Sequence, residues 1–131
     1  MTEQDQQQPD LSDLITRVVD ALKTEAAYVQ QKAQTLEATA DTSSAHEFEA
    51  LAGECDTLSQ KGHSSAAELT QGGVQDWVYS VKACNEVAYW ATDAAGHARQ
   101  AAASESPTEI KSMLGSALNS LNNACYSING A

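Results

Sequence analysis

The sequence predicts an all-α fold, an antiparallel up-down-up-down four-helix bundle. Four apolar stripes recur at gaps of three or four residues, the spacing of one helix face. Alanine, the best helix former, is abundant, while aromatic residues make up 5% of the chain and β-branched residues are sparse. Short stretches rich in Asp, Ser, Gly and Pro separate the stripes, and connections this short force neighbouring helices to run antiparallel. A chain of 131 residues with 42% hydrophobic content suits a single core.

The elements are expected at about 10–40, 45–71, 74–103 and 107–129. Residues 1–9, rich in glutamine with nothing to bury, are expected as a disordered polar tail, and residues 10–131 form one domain. Asp10 suits a cap for the first helix, whose stripe includes Leu11, Ile15, Val18, Leu22, Ala26, Val29, Ala33 and Leu36. Ser44 with Glu47 has the form of a capping box. The second stripe runs Phe48, Leu51, Ala52, Cys55, Leu58, Ala66 and Leu69, and continues through a weak point at Gly62 where a kink can enter. Gly72-Gly73 is the clearest break, since glycine supplies the left-handed conformation that ends helices.

The third helix holds both tryptophans. At ~100° per residue, Val74, Trp77, Val78, Val81, Cys84, Ala88, Ala91, Thr92 and Ala95 fall on one side, the expected core face. Tyr79, Glu86, Trp90 and His97 fall on the other, so Trp77 is expected buried and Trp90 outward. Ser106-Pro107-Thr108-Glu109 starts the fourth helix, whose stripe includes Ile110, Leu114, Ala117, Leu121, Cys125 and Ile128, and Gly130 stops it.

Net charge is −11, which disfavours nucleic acid and anionic membrane surfaces and favours a basic partner. No apolar run reaches the ~20 residues needed to span a bilayer. The first residues lack a basic and an apolar signal region, so a cytoplasmic location with reduced thiols is expected. Cys55, Cys84 and Cys125 fit small core hydrophobes. Cys84 and Cys125 come to the same depth on adjacent helices, which makes a disulfide between them the alternative. A metal site from these two with His63 is weaker, with three ligands and no C-x-x-C pair.

No cofactor and no enzymatic activity are expected. His46, His63 and His97 lack a Glu three residues upstream, as a di-iron bundle requires, and no phosphate loop or nucleophile elbow occurs. Two candidate partner-binding surfaces stand out. Glu37, Asp41, Glu47, Glu49, Glu54 and Asp56 cluster around the first inter-helix corner without a Lys or Arg among them. On the third helix, Tyr79, Glu86, Trp90 and His97 form an outer stripe of residue types common in binding hot spots. The expected function is a non-enzymatic acidic helical protein that binds a basic protein partner, in the manner of inhibitors, immunity proteins or chaperones. The alternatives are a small-molecule or metal carrier using the bundle interior, and a self-associating component, for example a homodimer pairing through Trp90.

Overall fold

The computed structural model describes residues 11–41 and 43–131. The expected tail and the Asp10 cap lie outside them. Four helices follow in order: α1 (Leu11–Ala38), α2 (Ala45–Gln71), α3 (Tyr79–Ala103) and α4 (Pro107–Asn129). Each packs against the next and α4 closes back on α1, as the four-helix bundle requires. The antiparallel register of α1 and α2 can be followed along their seam. Arg17 pairs with Glu68 at 3.1 Å, Glu25 with Lys61 at 2.9 Å and Lys32 with Glu54 at 2.9 Å. Residue numbers along α1 rise by seven or eight as those of their partners along α2 fall by seven. These are solvated pairs, each worth well under ~1 kcal/mol, so they mark register more than they hold it.

Stability comes from the core: Leu22, Val29, Phe48, Leu51, Leu58, Leu69, Val87, Leu114, Leu121 and Ile128 are sealed from solvent. Helix α3 is the central element, packed closely by both α2 and α4, and α1 meets it across the diagonal. Its buried positions therefore cover a wide arc: Ala83, Val87, Ala94, Ala98 and Ala101 join Val81, Cys84, Ala88, Ala91 and Ala95. Alanine fits that role, because it lets neighbouring backbones approach.

At Gly62 two helix backbones approach closely. Helix α2 runs through this residue without a break, and a Cβ placed there would lie 2.8 Å from the Cys84 carbonyl oxygen and 2.9 Å from the Ala88 nitrogen. The weak point in the helical pattern is thus the point where α2 touches the backbone of α3.

Helix α3 begins at Tyr79, later than the expected 74. At the end of α2, Gly73 adopts φ +109°, its amide reaches the Thr70 carbonyl at 3.1 Å, and the Val74 amide reaches Leu69 at 2.9 Å. This is a Schellman cap. It turns Val74 inward, where it is buried as a plug on the end of the core. Gln75 to Val78 then form a turn closed by a Val78 amide to Gln75 carbonyl bond of 3.0 Å. Gly72, the C-cap, takes right-handed backbone angles, and a Cβ there would meet the tip of the Leu14 side chain at 2.3 Å, which that side chain would have to move aside to admit.

Replacing Gly62 with alanine therefore destabilises the fold despite its better helix propensity, by roughly 1–3 kcal/mol, the usual cost of overpacking. Gly53 and Gly96 have nothing within 4 Å of an added Cβ, and Gly53→Ala or Gly96→Ala raises stability by about 0.5–1 kcal/mol. Chemical denaturation of the three variants checks the contrast. Equal effects at all three sites would contradict the close approach.

Candidate functional site

The later start of α3 moves the tryptophans. Trp77 falls in the turn, off the helical wheel, and is 72% exposed, where the periodicity places it in the core. Trp90 is half-buried and packs against the core. The core face of α3 is centred near Ala91, about 80° from the stripe's expected centre at Val81. Tyr79, Glu86, Trp90 and His97 consequently flank the core instead of opposing it. The outward aromatic is Tyr89, whose ring meets Trp90 edge-on at 5.0 Å.

His97 Nε2 lies 3.3 Å from Asp93 Oδ2, and the same oxygen accepts a 2.6 Å bond from the Ser120 hydroxyl of α4. The serine donates to the carboxylate and not to the imidazole. These three residues tie α3 to α4.

The six acidic residues of the first corner do not form one patch. Glu54 pairs with Lys32 of α1, and Asp56 pairs with Arg99 of α3. The cations missing from the local sequence arrive from neighbouring helices. Donating to these carboxylates holds the Lys32 ammonium and the Arg99 guanidinium above their usual ranges. Glu47 accepts the Ser44 amide at 3.0 Å through Oε1. A Cβ on Gly115 would lie 3.0 Å from Glu37 Oε2, so Glu37 leans toward α4. Asp41 shares with Glu37 a groove of about 450 Å³ between α1 and α4.

Taken over the whole bundle, charge is nevertheless lopsided. The Glu25–Lys61 pair sits at the middle. Toward the 41–44 connection lie Glu37, Asp41, Glu47, Glu49, Glu54, Asp56, Asp93, Glu105 and Glu109 against Lys32, Arg99 and Lys111. Toward the 72–78 turn lie Asp13, Asp20, Glu68, Asp76 and Glu86 against Arg17, Lys23 and Lys82. Among the described residues the first half thus carries −6 and the second −2.

The two ends differ in apolar character as well. Trp77, Tyr79 and Tyr126 are exposed at the less acidic end, with Tyr126 at 82%, and Leu11 lies beside Gly73 there. Tyr79 covers the end of α4, since a Cβ on Gly130 would lie 3.1 Å from its hydroxyl. Helix α3 spans 25 residues, about 37 Å, so Tyr79 and the pair Glu47 and Glu49 stand at opposite ends and form two surfaces. A third feature was not anticipated by the sequence pattern. A groove of about 410 Å³ opens between α1 and α2 at the acidic end, lined by Tyr28, Gln31, Lys32, Thr35, Leu36, Glu47, Ala50 and Leu51. The Lys32 ammonium sits 5.5 Å from the Tyr28 ring centre.

Cys55, Cys84 and Cys125 are free and buried, and the expected alternative of a Cys84–Cys125 disulfide is not formed. No cluster of three metal-ligating side chains occurs among the described residues. Burial, with a smaller contribution from Asp56 and Glu54, pushes the Cys55 thiol up to about 12. Burial alone pushes Cys84 up to about 11 and Cys125 upward. No helix among the described residues is long and apolar enough to cross a membrane. Comparison of the chain with protein-family models, curated proteins and solved structures finds no match.

The raised thiol values have a signed consequence. Above the unfolded-state value near 9, the unfolded chain loses thiol protons that the folded chain keeps, so stability falls as pH rises from about 9 toward 12. The slope approaches about 1.4 kcal/mol per pH unit for each buried thiol. Denaturation midpoints between pH 7 and pH 11 measure it, and Cys55→Ala flattens the slope while lowering stability at pH 7. A wild-type profile without that fall would contradict sealed thiols.

Proposed function

We propose that this chain is a non-enzymatic, acidic helical protein that docks a basic protein partner at the end holding the 41–44 connection, in the manner of inhibitors, immunity proteins or chaperones. The observation that carries this is the division of charge along the bundle, −6 against −2 over the described residues. A field of that shape raises the association rate of a cationic partner and orients its approach. The carboxylates at this end are not all committed internally. Glu37, Asp41 and Glu49 take part in none of the ion pairs among the described residues.

Affinity capture from native lysate tests the proposal. The partner is basic, is held at low salt, and is lost at about 0.5 M salt, where charges are screened within a few ångströms. A triple substitution Glu37→Gln, Asp41→Asn, Glu49→Gln reduces capture about tenfold without loss of helix content, which corresponds to ~1.4 kcal/mol. Capture that ignores both salt and these substitutions would remove this function.

Self-association has its own supporting observation in the exposed Trp77, Tyr79 and Tyr126 at the less acidic end. Two copies meeting there keep their strongly negative ends apart, and tryptophan and tyrosine are frequent hot-spot residues. On this second account the solution mass is that of a dimer and Trp77→Ala returns it to a monomer. A monomeric wild type at about 100 μM, well above a micromolar Kd, would exclude it.

A further inference from the structure

The groove between α1 and α2 brings together three properties. Its floor is apolar: Leu51 is buried, Leu36 is half-buried and Ala50 leaves room above them. One wall is the exposed Tyr28 ring, a face that already accepts the Lys32 ammonium. Its mouth carries Glu47, whose Oε1 serves the Ser44 amide, so that Oε2 is directed to no described partner. One turn along α2 from Ala50, Glu54 pairs with Lys32 through Oε2 while its Oε1 is buried without a hydrogen-bond partner.

The surroundings select the occupant. This half of the bundle is the strongly negative one, and two of its three cations are already held by Glu54 and Asp56. A second copy brings the same negative field. Residues 1–10 bring Glu3, Asp5 and Asp10 and no cation. We infer that the α1–α2 groove is the anchor site for a basic amphipathic segment of a protein partner, which seats an apolar side chain over Leu36, Ala50 and Leu51 and sets flanking Lys or Arg side chains against Glu47 and the neighbouring carboxylates. The inference rests on the proposed function and adds to it the docking point and the chemistry of the ligand. A volume of about 410 Å³ accommodates one or two large side chains, within the range of common ligand pockets.

The test uses the full chain and a synthetic peptide of leucine and lysine at helical spacing. Two control peptides replace every leucine with serine or every lysine with glutamate. The leucine-lysine peptide binds one to one, the serine version binds about tenfold more weakly, and the glutamate version does not bind. Ala50→Trp fills the groove from an exposed position and weakens the leucine-lysine peptide at least tenfold. Ala21→Trp, an equal change on the exposed surface of α1 in the other half, leaves it unchanged. Unfolding curves establish that both variants are folded; if Ala50→Trp is not, Ala50→Gln takes its place with a smaller expected loss. Equal binding by the serine and leucine peptides, or by Ala50→Trp and wild type, overturns the groove. Salt-sensitive capture of a native partner that Ala50→Trp does not reduce also sinks the groove while leaving the acidic-end function standing. Salt-insensitive capture sinks that function itself.

Discussion

The contact of Gly62 with the backbone of α3 at Cys84 and Ala88 is the constraint from which the rest of the arrangement follows. With α2 drawn that close, α3 must present small residues over a broad arc, and its alanines do so. The cost is that α3 brings few large side chains to the core. Leucine, isoleucine and phenylalanine from α1, α2 and α4 supply the bulk instead. Tight backbone packing on one side and bulk from the other three is how a chain with 5% aromatic residues fills a single core.

Most of the fold is legible in the sequence because the helices are long, strongly periodic and well punctuated. Ser106-Pro107 and the glycine pair mark ends that the backbone respects. The misplaced face of α3 follows from one physical cause. Alanine is a weak signal in a hydrophobic pattern, so the core face of α3 was centred on its larger residues and set about 80° from the true centre. Trp77 and Trp90 exchanged roles for the same reason, aided by a Schellman cap that turns Val74 inward in place of Trp77. Cations are equally hard to place. Lys32 and Arg99 lie far in sequence from Glu54 and Asp56 and meet them only once the register is known. The α1–α2 groove depends on Tyr28, Leu36, Ala50 and Leu51 coming together across two helices, and no local spacing announces that.

Trp77, Tyr79 and Tyr126 gather where α3 begins and α4 ends, while carboxylates gather around the opposite connections, with Tyr28 beside them. The separation permits the two ends to serve different partners without competition, since about 37 Å of helix lies between them.

In an antiparallel bundle the four backbone dipoles cancel in pairs, so the side chains alone decide how the molecule behaves in an electric field. The centres of its two halves are about 18 Å apart, and the excess negative charge sits in one of them. Near any positively charged body the chain therefore experiences a torque as well as a pull. Rotation is fast compared with translation over molecular distances, so the acidic end turns to the front before contact. Within a Debye length of about 8 Å at physiological salt, a collision from a random direction becomes one with a preferred face, and fewer encounters are spent on unproductive orientations.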